Sequence, residues 1–114
     1  MVYPELKSLH SPDLKKGQTP NDPAHCSVFI EAGIGPRGSE GEEIFSFVAA
    51  TPDKLSAEGR WRWGRGYLII DTFSWETVNE ALLSLIAHSS GETWDQVALS
   101  LAKELHWEFD GYRQ

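Results

Sequence analysis

GETWDQVALSLAKELHWEF, residues 91–109, decides the fold. Thr93 and Gln96 have the T-x-x-Q spacing of a capping box, in which the Thr93 hydroxyl takes the Gln96 amide proton and the Gln96 side chain reaches back to the Thr93 amide. Trp94, Val97, Ala98, Leu101 and Leu105 then recur at the spacing of one helical face. Leu99 lies about 140° round the helix from Trp94 and so needs a neighbour of its own or stays wet. His106 to Phe109 continue as a short aromatic strand. A helix this one-sided needs a sheet to lie on, and the upstream chain supplies one.

Working back, Trp75, Val78, Ala81, Leu82, Leu85 and Ile86 form a second helical stripe, with Glu76 and Glu80 on the opposite side. Leu83 stands off this stripe as Leu99 does off the other. The linker from His88 to Gly91 is so short that the two helices are expected as neighbours, with Leu83 and Leu99 closing the seam between them. If both are instead exposed, they become the apolar centre of an acidic docking face. Residues 67–71, YLIID, have strand length and composition.

Further upstream, Ile44, Ser46, Val48 and Ala50 alternate with Phe45, Phe47 and Ala49, and Cys26, Val28, Ile30, Ala32 and Ile34 alternate with Ser27, Phe29 and Glu31. The two runs read as an antiparallel pair joined through the glycine-rich segment 33–43. Residues 5–10 suit a first strand of poorly defined sidedness. The Pro- and Asp-rich segment 11–25 reads as a surface loop, and TPDKLSAEG, 51–59, as a turn or short helix. Strands followed by helices predict an α+β fold: an antiparallel sheet of four to five strands packed on one side by two consecutive C-terminal helices. No repeat or boundary divides the 114 residues, so one domain is expected.

Forty per cent hydrophobic residues, with five Trp, three Tyr and five Phe, exclude disorder as the default. The single cysteine, Cys26, forms no internal disulfide, no run reaches membrane-spanning length, and no signal pattern opens the chain, so a soluble cytoplasmic protein is expected. The net charge of -7 is uneven: residues 1–70 hold 9 acids and 8 bases, residues 71–114 hold 8 acids and 2 bases. Such an acidic surface repels nucleic acid and draws basic partners, when it does more than keep the chain soluble.

Taken in order, these blocks resemble the Imm8-type immunity proteins of bacterial polymorphic toxin systems. The resemblance rests on LHSPD at 9–13, IGPRGSEGEEIFSF at 34–47, TPDKL at 51–55, GRGYLII at 64–70 and GETWDQVALSLAKELHWEFDGY at 91–112. It implies a non-enzymatic protein that binds a cognate toxin C-terminal domain and blocks its active site or substrate access. It carries no shared binding residues, because members guard against different toxins. The segments 14–25 and 56–63 fall outside the family pattern.

No catalytic or metal-binding constellation competes with this reading. His25 adjoins Cys26, and in a strand the two would face opposite sides. The histidines at 10, 25, 88 and 106 lack chelating spacing, and no cofactor is expected. The glycines at 33, 35, 38 and 41 lie between strands rather than before a helix, which argues against a phosphate loop. Arg60-Trp61-Arg62-Trp63-Gly64-Arg65 is the most unusual local composition. Trp and Arg dominate interface hot spots, so Trp61, Arg62 and Trp63 are candidate partner-binding residues. Equally weighted is a structural role, with the Trp folded inward and the arginines paired to Glu58 or Asp71. The rival function is a small nucleic-acid-binding or regulatory module using this loop, which three arginines in an acidic chain serve poorly. If the toxin is a basic nuclease, Glu76, Glu80, Glu92 and Asp95 are the candidate acids to meet it, against the plainer role of a solvated helix face.

Overall fold

The computed structural model describes residues 1–111. Its elements are β1 (Pro4–His10), β2 (Ser27–Pro36), β3 (Glu43–Ala50), α1 (Pro52–Glu58), β4 (Tyr67–Ile69), α2 (Trp75–Ala87), α3 (Trp94–Leu101) and β5 (His106–Trp107). The five strands form one sheet in the order β1-β2-β3-β4, with β5 also paired to β3. The architecture is α+β, and α2 and α3 follow the strands as the sequence predicts.

One pairing departs from an antiparallel sheet. β4 runs parallel to β3, with Val48 opposite Tyr67 and Ala50 opposite Ile69, so the sheet is mixed. The reason lies in the connection: α1 and the loop after it carry the chain back across before β4 begins, and a crossover returns a strand in the same direction. β5 pairs antiparallel with the first half of β3, Phe45 opposite Trp107, so two short strands divide one edge of β3 between them.

The register explains which face is buried. Opposed residues in an antiparallel pair point to the same side. Val28 faces Ala49, Ile30 faces Phe47 and Ala32 faces Phe45, and all six are buried. β1 joins this face through an irregularity between Leu6 and Ser8: Leu6 pairs with Ile34 and Leu9 with Ala32, three residues apart in sequence yet on one side. A bulge that spends an extra residue on one strand does this. It accounts for the poorly defined sidedness of residues 5–10, where simple alternation cannot put Leu6 and Leu9 together.

Val78, Leu82 and Ile86 of α2 and Val97, Ala98 and Leu101 of α3 complete a continuous core with the strands. Leu83 and Leu99 do not close a seam between the helices; they are 48% and 52% exposed. Each helix turns its stripe to the sheet, and the residue after Leu82 or Ala98 sits about 100° further round, toward solvent.

Other local expectations are also modified. The Thr93 hydroxyl accepts from the Gln96 amide at 3.2 Å, but Gln96 Oε1 accepts from the Glu92 amide at 2.9 Å, one residue earlier than Thr93. α3 stops at Leu101, and Leu105 reaches the core from the turn that follows. Arg65 holds that turn: its Nε donates to the Ala102 carbonyl at 2.8 Å and its Nη2 to the Leu105 carbonyl at 3.3 Å, taking up acceptors at the helix end. β2 continues to Pro36, so Gly33 and Gly35 are strand residues. A Cβ on Gly33 would collide with Glu42 and one on Gly35 with the Gly41 carbonyl, so both are needed for close approach. Segment 11–25 carries no strand or helix but is strapped down, with the Trp75 indole donating to the Gln18 carbonyl at 2.8 Å and the Phe73 amide to Pro23 at 2.8 Å.

Candidate partner-binding surface

The loop after α1 separates its residues by role. Trp61 and Trp63 are 75% and 84% exposed and meet edge to face, ring centroids 6.4 Å apart. Neither folds inward. Two of the three arginines turn back to the protein: Arg62 lies over the Tyr67 ring at 5.1 Å, donates to the Tyr67 hydroxyl at 2.6 Å and stands 4.0 Å from Glu58. Arg65 pairs with Asp110 at 2.6 Å, not with Asp71. An Arg-Trp alternation in extended chain puts cations and indoles on opposite sides, and here the fold takes up Arg62 and Arg65 while solvent keeps the indoles.

The four candidate acids fall on different parts of the surface. Glu76, in the first turn of α2, lines a groove of about 830 Å³ beneath segment 11–17 together with Trp75, Lys15 and Lys16, so its setting is mixed in charge rather than acidic. Glu80 is exposed on α2. Glu92 is exposed before α3, and Asp95 is half-buried in its first turn. The Trp pair instead precedes β4.

Sequence reasoning missed a second groove, of about 400 Å³, lined by Phe47, Leu68, Leu82, Leu85, Glu104 and Leu105 among others. It opens between β4 and α2. Only the spatial juxtaposition of distant residues creates it, and no local pattern announces it. Among the described residues no strand of the sheet follows beyond β4. On the opposite sheet face, Phe29, Val48 and Tyr67 pair in one row across β2, β3 and β4, beside the 60% exposed Ile69.

The titratable groups have structural settings. Cys26 is buried, its thiol donating toward the Pro23 carbonyl at 3.4 Å, and burial first, then Asp22 and Asp53, raises its pKa above the ordinary thiol value. That disfavours the thiolate a nucleophile needs. His25 is engaged by the Asp53 carboxylate at 2.7 Å, and this hydrogen bond, then one from Thr51, holds the Asp53 pKa below the ordinary carboxylate value. Among the described residues no group of three or more His, Cys, Asp or Glu is arranged to hold a metal, and no helix is long and apolar enough to cross a membrane.

Residues 4–112 match the family model described as immunity protein 8. The chain belongs to the immunity protein 8 family. The match spans every strand and helix above, and with them each block quoted for the resemblance. No curated protein and no solved structure matches the chain. Membership in the immunity protein 8 family gives the Trp pair and the β4 groove their context, since an immunity protein implies a toxin to be bound.

Proposed function

We propose that this chain is a non-enzymatic immunity protein, acting as a single domain in the cytoplasm, that binds a cognate polymorphic toxin domain and blocks its active site or substrate access. The family match carries this reading. Supporting it, two adjacent indoles stand in solvent on a loop where Arg62 and Arg65 are anchored, and large exposed aromatics on a braced support are the usual material of interface hot spots. Trp61 and Trp63 are the contact residues in this reading, with Arg62 bracing them through Tyr67. Glu80, Glu92, Asp95 and Glu76, the last beside Lys15 and Lys16, add the negative charge that would draw a basic nuclease.

The nucleic-acid-binding alternative needs the arginines for phosphates. Arg62 and Arg65 are instead committed to Glu58, Tyr67 and Asp110, which leaves a poor footprint for counterion release. The function needs no cofactor.

Co-expression with the toxin domain encoded beside the gene tests the proposal. Growth should be rescued and a complex should elute from a sizing column; no rescue and no complex would refute it. A salt titration against generic single-stranded DNA should show no steep dependence.

A further inference from the structure

β4 is the last strand on its side of the sheet, and its backbone is directional. The Val48 amide donates to the Gly66 carbonyl at 2.8 Å, and the Ile70 amide to Ala50 at 3.0 Å, so Gly66 and Ile70 face β3. Alternation puts Leu68 on that side too and turns the backbone groups of Tyr67 and Ile69 outward. The Tyr67 amide is used by the Gly64 carbonyl at 3.3 Å. The Tyr67 carbonyl and both polar groups of Ile69 therefore line an outer edge with no strand of the described residues beyond it.

Side chains on the two faces suit an added strand. Leu68 lies on the core side, beside the groove formed with Leu82, Leu85 and Leu105. Ile69 points to the opposite face and is 60% exposed. An extended segment laid along this edge would alternate between the apolar groove and the Ile69 side. Its charge can also be read from the surroundings. Glu104 lines the groove and Asp71 follows β4 by two residues, while Arg62 is already offset by Glu58. An unprotected apolar edge strand is ordinarily blunted by lysine or proline, and residues 67–70 contain neither.

We propose that the outer edge of β4 receives an extended segment of the toxin domain as a further strand of the sheet, an apolar side chain entering the groove and a basic one meeting Glu104. This rests on the immunity reading above and names the surface and partner chemistry it uses.

Ile69→Pro tests it in the full chain. Because the Ile69 amide points outward, proline removes no bond of the β3–β4 ladder, whereas it removes the donor an added strand needs. The variant should keep the wild-type melting curve and lose about thirtyfold or more in affinity for the toxin domain, while Ile69→Val stays within about threefold. Amide exchange of the unaltered chain gives a second readout that needs no mutant: the Ile69 amide should slow by about tenfold or more in the complex. Folded Ile69→Pro binding like wild type, or equal exchange of the Ile69 amide free and bound, would overturn the proposal, and exchange alone decides if the variant does not fold. A free wild-type dimer that Ile69→Pro converts to monomer would assign the edge to a second copy and also overturn it. If the wild-type chain fails to bind the toxin domain at all, the immunity reading itself falls.

Discussion

Trp94 and Trp107 pack into the fold and Trp61 and Trp63 stand in solvent, so the same side chain does opposite things in the two places. At the first, one carboxylate oxygen of Glu43 accepts from both indoles, at 2.8 Å from Trp94 and 2.9 Å from Trp107. Phe45 stands edge-on to Trp94 and stacks on Trp107, with centroids 6.4 and 6.2 Å away. Tryptophan here fills the core and satisfies its polar atom, as burial demands. At the second, two indoles meet each other and water, although their area is what hydrophobicity most favours removing from solvent. The contrast separates indoles packed into the fold from indoles left in solvent.

The largest expected effect that would break this contrast is at the buried end. Phe45→Ala should destabilise the chain by about 3–5 kcal/mol, because a fully buried ring leaves a cavity against both Trp94 and Trp107; chemical denaturation measures it. A loss like that of an exposed site would mean that this cluster is not core. Next, Glu43→Ala should cost about 2–3 kcal/mol by leaving two indole donors without their shared acceptor, and Glu43→Gln, which keeps an oxygen there, should cost less. The tryptophan fluorescence of the folded state should also change in both variants as the Glu43 contact with Trp94 and Trp107 is altered.

Arg65→Ala sharpens the comparison at the loop, since Arg65 holds the turn after α3 while its neighbours Trp61 and Trp63 are free to solvent. A loss of about 1–2 kcal/mol is expected from the unmet Ala102 and Leu105 carbonyls, where Trp63→Ala should change stability by less than about 0.5 kcal/mol. The smallest effect belongs to Asp53, exposed beside His25. Its folded pKa is lowered, so its contribution is present above the ordinary carboxylate range and lost as pH falls through the folded value. The urea midpoints of wild type and Asp53→Asn should therefore differ slightly at neutral pH and converge below the Asp53 pKa.

Much of this architecture was legible because it is periodic. Alternation in β2 and β3 and the 3.6-residue stripes of α2 and α3 name nearly the whole core, and Thr93 marks the start of α3. What periodicity could not carry were the non-local terms. The bulge between Leu6 and Ser8 breaks alternation, the parallel run of β4 follows from a crossover, and α3 ends where an arginine from residue 65 captures its carbonyls. At the candidate site, composition singled out Trp61, Arg62 and Trp63 but left inward and outward orientations equal; the Tyr67 and Glu58 partners of Arg62 are tertiary facts. The free edge of β4 was illegible for the same reason, since an edge is defined by which strand is not beside it.

The exposed tryptophans are proposed to serve a partner rather than the fold. Titrating the toxin domain with wild type and with a Trp61→Ala, Trp63→Ala double variant, alongside denaturation of each, tests it most directly. An affinity loss of about 2 kcal/mol or more with an unchanged unfolding midpoint is expected. Wild-type affinity in the double variant, or a loss of stability matching the loss of binding, would contradict it.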